Sequence, residues 1–480
     1  MPNSLLKNSL FLSMSRFFSR GLGLISTFIV ARLLSPEDYA VIAIAMIVQD
    51  FALRMQNLGF IQNIVTTKKI DSDFLSAIFF SRFLIFLFIS LILFFSAHTF
   101  GDWLDSHEAG RVLNVICWII MLAGLQNLNV SVATRDNNYL PEIKVAVYSK
   151  VISIITTIVA AYVMESYWAL AIGMLVAAFS QTVISYLVAP SYLPSKFSVS
   201  EMRAQLNFSK WFFYQTLLAF FNAKLPIFII AKYFSEKTLG FITMATNLVD
   251  MYAQEISASF DKANFTYLSK KLEGVSDKDK RSILSQNIDY MLTVKNTLVL
   301  PIYAFLAIFS LEVIEILLGS QWLEMADIFS VLCLGSIAYS WETTYRTVFN
   351  VLRRPQINFH VGMLRLILLT VIGALTIYYG NYWYIVWGLP ISSLFVVGFS
   401  IFNLNSETDN NLLFPVLKSM ILFFLLFILA LSLAELGFSV FLSGPIFLIL
   451  TTFLILIVER NSNSKFLTLV ILNLSKKLPL

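Results

Sequence analysis

Charge is scarce in this sequence, and histidine and cysteine are nearly absent. Only 13% of its 480 residues are Asp, Glu, Lys or Arg, about half the share of a soluble domain. So few charged groups cannot cover the surface that soluble domains of this total length would present, which excludes a chain of that kind. The two cysteines, Cys117 and Cys333, sit inside apolar segments without a CxxC, so neither a disulfide framework nor a zinc centre is expected. The three histidines, His98, His107 and His360, stand near predicted helix ends with no nucleophile beside them. No Walker A, HExxH, GxSxG or dinucleotide fingerprint occurs, which excludes ATP-driven transport by this chain alone and points away from an enzyme. No cofactor and no metal are expected. The surplus of 34 Lys and Arg over 29 Asp and Glu is too mild for a nucleic-acid partner. Arg16 and Arg20 interrupt the first apolar stretch and no small-residue cleavage site follows, so no cleavable leader is expected there.

What the sequence does have is apolar: 58% of residues are hydrophobic and 44 are phenylalanine. A spanning helix needs about 20 mostly apolar residues. That rule places spans near 9–34, 38–65, 74–99, 109–133, 141–164 and 168–190, then near 206–233, 238–268, 287–318, 325–350, 356–379 and 382–403. A further pair near 413–434 and 438–459 makes fourteen. The reading is an all-α polytopic membrane protein in the lipid bilayer. The longest predicted loop, 269–286, is a charged stretch containing Lys270, Lys271, Asp277, Lys278, Asp279, Lys280 and Arg281. Lys and Arg gather in alternate loops, including Lys68, Lys69, Lys144, Arg353 and Arg354, whereas the opposite loops carry Asp102, Asp105, Glu108, Glu165 and Glu324. The positive-inside rule then puts both termini in the cytoplasm.

An internal repeat organises these spans. Residues 28–39 read FIVARLLSPEDY, and two hundred positions later 228–239 read FIIAKYFSEKTL. In both copies a serine, Ser35 or Ser235, stands where it would cap the next helix, with Asp38 or Thr238 three residues on. Asp50 matches Asp250 at the same offset. Beyond a modest insertion, Arg82 corresponds to Lys295, Cys117 to Cys333, Lys150 to Arg365, and Tyr167-Trp168 to Tyr382-Trp383. The expected layout is a six-helix lobe at 1–195, a second at 196–404 as its tandem parallel repeat, and a helical pair with a cytoplasmic tail at 405–480. Parallel repeats suit alternating access about a site near the bilayer midplane.

Charges inside the spans mark candidate functional residues. A charged side chain at mid-membrane costs about 2.5–3.5 kcal/mol on insertion scales, so such groups face the protein interior, a wet cavity, or snorkel out. Asp50 with Arg54, and Glu342 with Arg346, are spaced four apart as self-neutralising pairs; Asp250 and Glu255 share the eighth span. Arg82 and Lys295 are shallow enough to snorkel. Arg16, Arg20, Lys150, Lys224 and Arg365 have no obvious carboxylate on their own helix and are the candidates for substrate binding. Their cationic excess favours an anionic substrate, naturally a phosphate. Glu37-Asp38 reads as helix capping, the two cysteines as packing residues, and Trp103, Trp168, Trp322 and Trp383 as interfacial anchors.

The run Gly21-Leu-Gly-Leu-Ile-Ser-Thr-Phe-Ile-Val-Ala-Arg-Leu-Leu-Ser-Pro-Glu-Asp-Tyr39, with Asn57-Leu-Gly-Phe-Ile61, Lys68-Lys69, Tyr167-Trp168-Ala-Leu170 and Ser209-Lys210-Trp211, resembles the polysaccharide biosynthesis flippases. These are the O-antigen and exopolysaccharide branch of the multidrug/oligosaccharidyl-lipid/polysaccharide exporter superfamily. The resemblance implies two lobes around a cavity lined by helices 1, 2, 7 and 8. It also implies an undecaprenyl-diphosphate-linked oligosaccharide flipped to the periplasmic leaflet of the bacterial inner membrane. An ion gradient or membrane potential would drive it, and a polymerase and chain-length regulator would be partners. Carried onto this sequence, those helices offer Arg16, Arg20, Asp50, Arg54, Lys224 and Asp250. Many relatives have an acidic residue soon after an asparagine in helix 7; here Asn222 is followed by Ala223, Lys224 and Leu225. Three other readings stay open: a drug/cation antiporter of the same superfamily, a membrane glycan polymerase or ligase, and a glycan-assembly partner without transport activity.

Overall fold

The apolar runs become helices, and in the computed structural model every described element is helical. It describes residues 2–56, 64, 72–136, 138–190, 199–273 and 275–405, then isolated positions to 451; at 2–17, 55–56, 199–215, 251–259, 263 and 277–278 it describes the backbone alone. The helices are α1 (Pro2–Leu33), α2 (Pro36–Gln56), α3 (Ser72–Trp103), α4 (His107–Gly124), α5 (Asn129–Arg135), α6 (Leu140–Met164) and α7 (Trp168–Val188). They continue with α8 (Val199–Tyr233), α9 (Glu236–Lys271), α10 (Asp277–Ile308), α11 (Ser310–Leu317), a 3-10 turn (Ser320–Met325), α12 (Ala326–Val351), α13 (Pro355–Tyr379) and α14 (Trp383–Leu404). Among the described residues eight helices are long and apolar enough to cross a membrane, and α4 with α5, bent by 54°, makes a ninth candidate. The chain is a multi-pass membrane protein. Of the expected final helical pair only isolated positions are described, and the Lys68-Lys69 loop lies outside the described residues.

The chain divides into two compact units, Met1–Gly240 and Phe241–Leu480. In the first, α3 packs along α4 and α6 along α7, while α1 lies on α6 and α8 lies on α2 and α3. In the second, α12 is the central helix, packed by α10 and α14, with α13 against α14. Seventeen of its residues are buried, as its position between two partners requires.

Local chemistry sets the helix ends. Ser35 Oγ accepts from the Asp38 amide at 3.2 Å and Asp38 Oδ2 accepts from the Ser35 amide at 3.0 Å, a reciprocal capping box at the start of α2. Ser235 Oγ accepts from the Thr238 amide at 3.2 Å at the start of α9. Asp38 Oδ1 also takes the Tyr167 amide at 2.8 Å, so this acidic turn is occupied in tying helix ends together. Helix α6 stops at Glu165 and α13 at Gly380, both left-handed, with φ of 44° and 60°.

Three expectations are corrected. The 269–286 stretch is mostly helix: α9 runs to Lys271 and α10 begins after Ser276, whose Oγ accepts from the Asp279 amide at 3.3 Å. Hydropathy reports only the part of a helix within lipid, and these helices continue as charged, solvated turns. The 109–133 span is broken between Gly124 and Asn129, and the 287–318 span breaks at Phe309. Trp322 is fully buried against Phe241, with ring centroids 6.1 Å apart, instead of anchoring at the interface.

Candidate functional site

In the first unit the charges meet where α8 crosses α2. Pro226 lies within α8 and has no amide hydrogen, so it cannot bond the Asn222 carbonyl one turn earlier. Lys224 stands between them, and its Nζ lies 2.7 Å from Asp50 Oδ2. The Lys224 and Asp50 side chains are 17% and 33% exposed, so the pair is neither sealed nor freely solvated. Phe51 and Phe220 pack edge to face beside it, 5.1 Å between centroids. Asp50 therefore finds its cation on another helix and not in Arg54 four residues along its own, because the side chains of α2 and α8 converge at this crossing. Arg54 is partly buried on α2.

Arg20 and Lys150 are both exposed. Where α6 lies on α1, Lys150 occupies the space a side chain at Gly23 would need: a Cβ there would be 3.3 Å from Lys150 Cε. A Cβ at Gly21 would meet nothing within 4 Å, so α1 presents bare backbone next to Arg20. The Arg16 and Glu255 side chains lie outside the described residues.

The second unit gathers its charges on α12 and α13. Glu342 is buried, at 1% exposure. Its Oε1 lies 2.5 Å from Arg346 Nη2, as the four-residue spacing suggested, and its Oε2 lies 2.9 Å from Arg365 Nη2. Arg365 Nη1 also donates to Oε1 at 3.1 Å. Arg365, one of the five cations read as lacking a carboxylate on their own helix, thus shares the carboxylate of the Glu342–Arg346 pair. Arg365 also donates to Ser393 Oγ of α14 and lies over the Tyr339 ring, 5.7 Å from its centroid. Asp250, partly buried on α9, is within electrostatic reach of Tyr339. Within contact distance two guanidiniums share one carboxylate, and Arg346 remains 42% exposed while Arg365 is 14% exposed. A charged, partly open guanidinium beside a largely enclosed one is suited to binding a phosphate oxygen.

Arg82 and Lys295 do not snorkel. Arg82 is 5% exposed and donates to the Ala123 carbonyl at the broken end of α4. That end also receives Thr182 Oγ1 on Leu122 O at 2.9 Å and the Tyr186 hydroxyl on Leu125 O at 2.9 Å. A helix ending inside a membrane leaves carbonyls that water cannot satisfy, and these side chains take that role. Lys295 is wholly buried and lies 2.6 Å from Asp261 Oδ1. Asp261 escaped the sequence reading because it stands beside Lys262 near the charged end of α9 and looks like a solvated residue.

Among the described residues no cluster of His, Cys, Asp or Glu could hold a metal ion. Residues 29–327 match the family model described as polysaccharide biosynthesis protein. The succinoglycan biosynthesis transport protein ExoT of Rhizobium meliloti (strain 1021) is 22% identical over 318 residues, covering 66% of this chain and 63% of that protein. The chain thus spans a little less than two thirds of ExoT. The lipopolysaccharide biosynthesis protein WzxC of Escherichia coli (strain K12) is 18% identical over 354 residues, 72% of this chain and 69% of that protein. Among solved structures, the lipid II flippase MurJ in an inward closed conformation superposes with a TM-score of 0.69 at 16% identity, over 92% of this chain and 98% of its own. At that identity the likeness concerns the fold.

Proposed function

This chain belongs to the polysaccharide biosynthesis protein family, and from that membership we propose that it is a transporter that flips a lipid-linked oligosaccharide across a membrane. The observation that carries this reading is the sharing of Glu342 by Arg346 and Arg365, with Arg346 partly open. Such a site favours an anionic group, and a diphosphate bridging lipid and glycan would be such a group. ExoT and WzxC, named for succinoglycan and lipopolysaccharide biosynthesis, support a surface-polysaccharide repeat unit as cargo. The finer reading is an undecaprenyl-diphosphate-linked unit, moved from the cytoplasmic to the periplasmic leaflet of a bacterial inner membrane. Arg16, Arg20, Lys150, Lys224, Arg346 and Arg365 would bind the diphosphate in successive states, and Asp50, Asp250 and Glu342 would hold the cations between cycles. An ion gradient or the membrane potential would supply the drive, and a glycan polymerase would receive the product.

Alternating access of two tandem six-helix lobes, within fourteen spans and with both termini cytoplasmic, is the mechanism we infer. Matched contacts support the tandem layout. A Cβ at Gly173 would strike Thr157, and a Cβ at Gly388 would strike Ile372, both residues lying 215 positions later in the second instance. The left-handed helix ends Glu165 and Gly380 are separated by the same interval.

The test is made in cells lacking the gene. Surface glycan is expected to fall while complete, unpolymerised lipid-linked units accumulate on the cytoplasmic leaflet. Units that reach the outer leaflet but are not joined would instead identify a polymerase or its partner.

A further inference from the structure

Lys295 is surrounded as a metal cation would be. Its Nζ lies 2.6 Å from Asp261 Oδ1 on α9, 2.8 Å from Thr343 Oγ1 and 3.2 Å from the Ser340 carbonyl on α12. A carboxylate, a hydroxyl and a backbone carbonyl are the donors that hard cations select. The site is built and enclosed: Lys295 is 0% and the Asp261 side chain 14% exposed. The Ser340 carbonyl also accepts from Thr343 Oγ1 at 3.0 Å and Thr344 Oγ1 at 3.2 Å, which fixes its direction. The 2.6 Å contact between Lys295 Nζ and Asp261 Oδ1 joins full opposite charges, an attraction that a small inorganic cation in place of the ammonium would also make.

We propose that Asp261, Thr343 and the Ser340 carbonyl form a monovalent-cation site on α9 and α12 that the chain fills with its own Lys295 ammonium. The second unit carries this cation tethered to α10, so the position cannot exchange with bulk sodium or potassium. The charge holds α9, α10 and α12 together in every state that keeps the lysine in place. The inference does not depend on which substrate the protein moves.

Purified full-length protein and its K295A variant would be compared by thermal unfolding in sodium, potassium, methylammonium and choline chloride at equal ionic strength. Wild type is expected to unfold at one temperature in all four salts. K295A is expected to unfold lower in choline and to recover roughly 2–4 °C in at least one of the small cations, since a ligand that binds only the folded state raises its stability. The double variant K295A/D261N should lose that response. Equal midpoints for K295A in every salt, or a wild-type response as large as the variant's, would overturn the proposal. If K295A does not yield folded protein, the unpaired Asp261 is the predicted cause and K295A/D261N must fold; a double variant that also fails overturns it.

Discussion

At the residue scale, deleting the Glu342 carboxylate removes a negative group that both Arg346 and Arg365 contact. Breaking a buried pair from one side costs about 3–5 kcal/mol, so E342A should markedly lower the thermal midpoint of the purified protein. R346A removes the partly exposed member and should change stability by no more than about 1 kcal/mol. If Arg346 binds the anionic group, R346A should nonetheless reduce delivery of lipid-linked glycan to the outer leaflet, measured in cells complemented at equal expression. For Asp50 and Lys224, a double-mutant cycle with D50N and K224M should give a coupling of about 1 kcal/mol by unfolding; a null coupling would remove this pair from the architecture. The cations of these pairs were legible because a charge inside an apolar run has to be accounted for. Glu342 and Arg346 were legible as a pair from their spacing, but partners on another helix were not. Asp50 stood four residues from Arg54 and met Lys224 instead, because helical spacing speaks only for one helix and the chosen partner is 174 positions away.

At the element scale, hydropathy located the helices and capping residues placed their starts, as at Ser35 and Ser235. The break between α4 and α5 escaped because the apolar run is nearly continuous. Gly124, Gln126, Asn127 and Asn129 were its written sign, and Asn127 Oδ1 accepts from the Asn129 amide at 3.0 Å to restart the helix. The two left-handed helix ends offer a matched experiment. Glu165 carries a side chain where φ is 44°, a conformation costing L residues roughly 1–2 kcal/mol, while Gly380 avoids that cost at φ of 60°. E165G should therefore stabilise by about 0.5–1 kcal/mol and G380A should destabilise by about 1 kcal/mol, both read from unfolding midpoints. Gly240 tests a close approach instead. A Cβ there would be 2.0 Å from the Pro36 carbonyl oxygen, and backbone cannot swing aside as a side chain can. G240A should force apart the turns that begin α2 and α9 and lower the yield of folded protein, measured by size-exclusion chromatography after solubilisation.

For the whole molecule, the multi-pass helical character and the family were readable from hydropathy and local motifs. The packing of α8 onto α2 and α3 was not, because the repeat assigns that helix by ancestry and contacts assign it by where it lies. One feature also bears on how the protein is made. Arg82 precedes its acceptor carbonyl at Ala123 by 41 residues. At about 5–20 residues per second a ribosome needs roughly 2–8 s to cover that interval. During it the Ala123 carbonyl is not yet there for Arg82 to meet. A chain cut just after residue 105 and extended by a polar tail long enough to clear the ribosome should integrate α3 less completely than one cut past residue 130, and R82L should narrow the difference, as scored by protease protection. Lys295 has no such delay in finding a counter-charge, because Asp261 is synthesised before it. The order of synthesis thus makes Arg82 wait for its Ala123 acceptor, whereas the carboxylate that Lys295 meets is already made.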